Sequence, residues 1–429
     1  MTTHVHHENA PINQWQRGVH VFDTPIVTPT FVLMSTLGVI GLLLSLLRMF
    51  GGLDFTGMNN SYAWGIWKTF NVMTLTALGS GGFAVGIAAW LFDNKKLHLV
   101  MRTALLTSLV FYFSGLIALT IDVGRPWNMY LMLFPSTWNL HSALFEVAIC
   151  MTAYAVFFLS FENLPPLFER MYINASPFNR RYLLMFKAQF KFLYPFMVAM
   201  AYVLPIMHQS SLGSLLLLGG EKVHPLWQTQ ALPLLYVIQA AVAGSACVLF
   251  TLMVGCVMWR RSLDVAVLAS LARLMAGLAA SFWVIRILDL VVNGRLGLAF
   301  EPGWLTVVFH VENLLVVVPA LLLWFVPSSR TRPRTLFWTS ACTMLGSMLY
   351  RFVPTTVSFI PGEAKFYFPT VPEIFMSVGY IALTVAAFSL AVKVMAIFPG
   401  PIDSWYRVVA QARDELKLKV DIHGKATQD

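Results

Sequence analysis

LPLLYVIQAAVAGSACVLFTLMVGCVM, residues 232–258, holds no charged side chain and is long enough to cross a bilayer as a helix. Roughly 20 apolar residues span the ~30 Å hydrocarbon layer, and a segment in lipid must satisfy its own backbone hydrogen bonds. The run is continuous rather than alternating, which predicts a helix and not a barrel strand. Nine other stretches read alike, giving spans at 28–50, 64–92, 98–121, 141–161, 183–206, 232–258, 266–292, 304–326, 335–353 and 373–397. They fill most of a 429-residue chain that is 58% hydrophobic, 11% charged and has a mean hydropathy of +0.69. The expected fold is an all-α membrane protein of about ten transmembrane helices.

Charge orients the bundle. Basic residues gather in alternate connections: Lys95 and Lys96; Arg170, Arg180 and Arg181; Arg260 and Arg261; Arg330, Arg332 and Arg334; then the tail with Arg407, Arg413, Lys417, Lys419 and Lys425. The other loops carry little beyond Arg125, Lys222, Arg295 and Lys365. Cytoplasmic loops are the basic ones, so both termini are expected in the cytoplasm of a bacterial inner membrane. The expected organisation is an N-terminal segment at 1–27, one membrane domain at 28–398 and a basic tail at 399–429 suited to anionic lipids. The polar start, with His4, His6, His7 and His20, does not read as a cleaved signal peptide. The net charge of +9 then belongs to membrane topology, and a nucleic-acid partner is not expected.

Cys150, Cys247, Cys256 and Cys342 lie singly in apolar spans, which predicts packing residues and no iron–sulfur cluster or metal site on this chain. Gly79, Gly81, Gly82 and Gly86 lie within a span and read as helix-packing positions rather than a phosphate loop.

Polar residues mass toward the outer ends of the spans. The third span runs into TIDVGRPWN, 120–128; the fourth opens with His141 and carries Glu146; the fifth ends in MHQSSLGSL, 207–215, and KVHPLWQ, 222–228, follows. Donors, acceptors and aromatic walls near one face would suit an amphipathic ring with carbonyl oxygens, such as a quinone. Each residue also has a plainer reading. Asp122 and Arg125 could pair across a turn, His208 could bond its own loop, Ser210 and Ser211 could satisfy backbone, and His224 and Trp227 could be ordinary interfacial residues. Glu146 is harder to dismiss, because a carboxylate inside a span costs several kcal/mol unless paired, protonated or hydrated.

Glu312, near His310 in the eighth span, parallels Glu146 beyond His141; Arg102 parallels Arg273, and Asp122 parallels Asp289. The pattern predicts two related four-helix groups, spans two to five and six to nine, plus flanking helices. Arg286 and Asp289 share a helix face and are expected to pair. Lys68, Lys187, Lys191 and Arg351 are expected to extend an ionisable chain inward, giving a proton route past Glu146 or Glu312.

TIDVGRPWN, HSALFEVAICM (141–151), MHQSSLGSL and KVHPLWQ resemble the NrfD/PsrC family of quinone-reactive membrane subunits. The likeness covers about residues 25–398, includes WGIW at 64–67 and FPT at 368–370, and is strongest to the branch serving a periplasm-facing nickel–iron hydrogenase. It implies a menaquinone or ubiquinone site near the periplasmic face. It also implies a docked ferredoxin-like iron–sulfur subunit and catalytic subunits that supply electrons. By motif, Asp122, Arg125, Trp127, Asn128, His141, Glu146, His208, Gln209 and His224 would surround the quinone head; the residues themselves further offer Ser210 for the pocket and Glu146, Asp122 and Glu312 as proton relays. Asn71 stands where the family pattern has an acidic residue. Two rival readings are a b-type cytochrome, which needs facing histidines from among His141, His208 and His310, and a secondary transporter, which the parallel rather than inverted halves disfavour.

Overall fold

The computed structural model describes residues 25–59, 61–62, 64–259, 264–360, 367–395 and 397–398. The N-terminal histidines, Arg260, Arg261, Lys365 and the basic tail lie outside these residues, as do the side chains of Arg181, Lys187 and Lys191. Ten long helices follow: α1 (Pro29–Gly51), α2 (Trp67–Leu91), α3 (Met101–Asp122), α4 (Ala143–Tyr172), α5 (Pro177–Leu217), α6 (Leu232–Met258), α7 (Val265–Val292), α8 (Trp304–Phe325), α9 (Pro333–Phe352) and α10 (Val371–Val394). Among the described residues, nine helices are long and apolar enough to cross a membrane; α9 falls short because it turns Thr339, Ser340, Thr343, Ser347 and Arg351 into the bundle. The chain is a multi-pass integral membrane protein, all-α as expected.

Helices α6–α9 pack as one four-helix group, α2–α5 as another, and α1 and α10 lie against each other beside α2 and α3. Small residues set the closest approaches. A Cβ on Gly41 would stand 2.8 Å from the Cα of Gly379, so α1 and α10 touch backbone to backbone. Gly81 and Gly244 do the same for α2 and α6, the packing role expected of the α2 glycines.

Connections gather at two ends. At the end where odd-numbered helices finish, here the upper end, Arg48 donates to Ile121 O, Ile360 N to Lys222 O and Arg295 to Gln228 O. Here the buried Glu373 carboxylate caps α10: it accepts from Thr370 N (2.6 Å), Gly57 N (2.9 Å) and the Tyr367 hydroxyl (2.9 Å). The FPT stretch therefore serves as a helix start that locks the α1–α2 loop. At the lower end Arg102 grips Glu169 through two hydrogen bonds, and Arg170 reaches Lys393 O.

Two expectations fail in instructive ways. The boundary expected at 206 is short: α5 runs through Pro195 and Pro205 to Leu217, and MHQSSLGSL forms its closing turns. His208, Gln209 and Ser211 are buried by neighbouring helices, so their polarity marks a contact. Lys68 and Arg351 do not extend inward: Lys68 opens α2 at the upper end and Arg351 closes α9 there.

Candidate functional site

Arg351 organises the centre. It is fully buried, and its fork donates to Gln239 Oε1 (2.7 Å), Gln209 Oε1 (2.8 Å) and Tyr236 O (2.5 Å) while stacking 4.1 Å from the Tyr236 ring. A planar fork with five donors suits this convergence of α5, α6 and α9. Gln209 passes the order on, donating to the Tyr112 hydroxyl at 3.1 Å. The Tyr112 ring meets Tyr154 edge-on at 4.7 Å and His208 at 5.4 Å.

His208 is the unusual member. It is fully buried, its Nδ1 faces Val147 O at 3.2 Å, and its Nε2 has no hydrogen-bond partner among the described residues. Buried polar atoms are nearly always paired, so an orphaned ring nitrogen calls for an external partner. Three wide helical turns surround this network, at Trp67–Thr74 in α2, Ala153–Leu159 in α4 and Val353–Val357 after α9. Such π-turns are frequent at functional sites.

A second polar site lies next to the first. Glu312 of α8 pairs with Arg286 of α7 and accepts from Trp227 Nε1 at 3.0 Å, all three side chains being buried. Phe309 and Tyr350 each lie 4.7 Å from the Arg286 guanidinium. The expected Arg286–Asp289 pair is absent, because Arg286 turns into the bundle while Asp289 accepts from Thr229 at 2.6 Å and Asn293 at 3.0 Å.

The remaining sequence candidates separate by depth. Asp122 pairs with Lys68 at 2.7 Å, not with Arg125. Arg125, Trp127, Asn128 and His141 are exposed on or beside the α3–α4 connection. Glu146 is half-buried near the start of α4 and has no side-chain hydrogen bond or ion pair among the described residues. Ser210 is half-buried; Ser211 is buried and bonds back to Met207 O. His224 is half-buried in the α5–α6 connection, where burial lowers its pKa below the ordinary imidazole range and Glu301 partly offsets this. Among the described candidates, then, His208 and Gln209 reach the central network, and Arg125, Trp127, Asn128 and His141 do not. Tyr112, Tyr154 and Gln239 were not singled out from sequence, though a Gln in an otherwise uncharged span was a readable signal.

The family described as "Polysulphide reductase, NrfD" matches residues 54–358. The chain belongs to the NrfD family. It is 34% identical to the "Probable Ni/Fe-hydrogenase 2 b-type cytochrome subunit" of Escherichia coli strain K12, over 87% of this chain and 93% of that protein. It is 24% identical to the "Menaquinone reductase, integral membrane subunit" of Nitratidesulfovibrio vulgaris strain Hildenborough, over 81% of this chain and 86% of that one. These relatives agree with the resemblance carried by the sequence motifs, the hydrogenase branch included.

Proposed function

We propose that this chain is the quinone-reactive anchor subunit of a respiratory oxidoreductase. In this reading a menaquinone or ubiquinone head hydrogen-bonds His208. The observation that carries it is the orphaned, fully buried Nε2 of that residue beside the Arg351–Gln209–Tyr112 network. With Nδ1 turned to the Val147 carbonyl, the neutral ring carries its proton there and leaves Nε2 as an acceptor, which fits the hydroxyl of a quinol; protonated at Nε2 as well, the ring would donate to a quinone carbonyl. A quinone takes up two electrons and two protons when reduced. Arg351 fixes the Gln209 amide, Gln209 fixes the Tyr112 hydroxyl, and the three hold the wall against which His208 works. Glu146, without a partner of its own, is the nearer relay candidate; Glu312, paired and bonded, serves structure. Asp122 with Lys68 sets the charge at the upper end, where the exposed Arg125, Trp127, Asn128 and His141 would meet a partner subunit or the lipid headgroup layer.

Electrons would come from a periplasmic ferredoxin-like iron–sulfur subunit attached to catalytic subunits, a nickel–iron hydrogenase by the first relative's name. That name also carries a b-type cytochrome, and a haem reading needs two facing imidazoles. Of the described histidines only His208 is buried; His310 bonds Ala299 O at 2.8 Å, His141 is exposed and His224 accepts from Leu226 N. These positions favour a chain that carries no haem. Purification in mild detergent through a tag on this chain tests the reading. Co-purified iron–sulfur and catalytic subunits, stoichiometric extractable quinone and no Soret band are expected. A Soret band, or a chain recovered alone without quinone, would overturn it.

A further inference from the structure

Quinone reduction forms two O–H bonds, so two protons must accompany the two electrons supplied by an iron–sulfur donor. Glu146 and Glu312 are the carboxylates a sequence reading offers for this task. A third one is better placed. Glu162, on the lower part of α4, has a buried Oε1 with no hydrogen-bond partner among the described residues. It lines a cavity of about 220 Å³ together with Trp90, Arg102, Tyr154, Tyr194 and Tyr202. The cavity starts among lower-end residues, where Arg102 is held by Glu169, and reaches Tyr154 in the π-turn of α4. At about 30 Å³ per molecule it has room for several waters.

From Tyr154 a packed line of aromatic rings leads on to the central site. Tyr154 touches Tyr112 edge-on at 4.7 Å, Tyr112 accepts from Gln209, and Tyr112 lies 5.4 Å from the His208 ring whose Nε2 is orphaned. Glu162 Oε1 and His208 Nε2, at the two ends of this aromatic line, are both buried without a hydrogen-bond partner among the described residues, and water reaching the Tyr154 and Tyr112 hydroxyls would complete a hydrogen-bonded path between them. We infer that Glu162 is the proton entry of this subunit: it takes protons from water in the lower-end cavity and delivers them through Tyr154 and Tyr112 toward His208. The lower end carries Lys95, Lys96, Arg170 and Arg180, the basic side expected in the cytoplasm. This inference rests on the quinone reading of His208 and adds the side from which its protons come.

The test uses the complete complex, purified through this chain and reconstituted in vesicles containing a trapped pH dye. Glu162→Gln should keep bound quinone and melting temperature while lowering quinone turnover at least ten-fold near neutral pH. It should also remove proton uptake from the lower-end compartment. Glu162→Asp should restore most turnover with a displaced pH profile, which a structural role would not produce. Tyr154→Phe keeps the ring contact and loses only the hydroxyl; it should slow turnover similarly, and it decides the matter if Glu162→Gln proves unstable. Unchanged turnover and unchanged uptake in Glu162→Gln, or in Tyr154→Phe when that variant decides, would overturn the inference while leaving the quinone reading intact. A wild-type complex without quinone would instead fell the reading, and the inference with it.

Discussion

Two buried polar sites lie side by side in this bundle and handle the same problem in opposite ways. Between α7 and α8, Glu312 has a cation and an indole N–H, and Arg286 has two aromatic faces. Between α4 and α5, His208 has one partner and one vacant nitrogen. The sites are contiguous: Arg286 stacks on Tyr350, Tyr350 meets Tyr236 at 5.8 Å, and Tyr236 stacks under Arg351. The Glu312 carboxylate has its bonds met and is closed to further chemistry, although Arg286 Nη2 beside it has no hydrogen-bond partner among the described residues; the vacant nitrogen of His208 differs in that it can take up and release a proton. In a membrane bundle a vacant atom that can exchange a proton, more than formal charge or vacancy alone, separates a working site from a structural one.

The largest expected effect lies at the open site. His208→Gln should lower quinone turnover by about 10²–10⁴, the range for losing a general acid or base, with little change in melting behaviour. Steady-state turnover of the purified complex beside its thermal unfolding checks both halves. Removing one member of the closed site should do the reverse. Glu312→Leu or Arg286→Met alone should destabilise the chain by about 3–5 kcal/mol, because each leaves a buried charge unpaired, and the double variant should recover most of that. A turnover loss in Glu312→Leu matching that of His208→Gln would erase the distinction between the sites.

Trp227→Phe sharpens the comparison further. It removes one hydrogen bond to a charged acceptor and should cost about 1.5–3 kcal/mol in denaturant unfolding without moving turnover. The smallest effect concerns His224, outside the spans. Burial holds its imidazole below the ordinary value of 6.5, so the folded chain binds fewer protons there than the unfolded one. Its contribution to stability is complete above 6.5 and declines as pH falls through 6.5 toward the lower folded value. His224→Gln should flatten that acid limb in a pH series of melting temperatures, while behaviour above neutral pH stays the same.

Most of the architecture was legible because apolar run length is a direct physical requirement of the bilayer. Ten spans were expected and ten helices stand near those positions, but α5 and α9 show where hydropathy stops informing. Their polar residues, His208, Gln209 and Arg351, stand in the closing turns of their helices and are nonetheless fully buried contacts in the bundle. The site was half legible. His208 and Gln209 stood out in their motif, and Glu312, expected as a proton relay, stood out as the counterpart of Glu146. Partner choice was not legible: Arg286 sat three residues from Asp289, yet the carboxylate it meets is on the next helix. Tyr112 and Tyr154 were missed because aromatic residues are ordinary in apolar spans, and only packing makes them a file.

Photoaffinity labelling with an azido-quinone, followed by peptide mapping of the purified complex, addresses the central claim most directly. Label is expected on the peptides around Val147 of α4 and His208 of α5, lost in His208→Gln and retained in Glu312→Gln. Label on α7 and α8 around Arg286 and Glu312, or label at α5 that persists without His208, would contradict it.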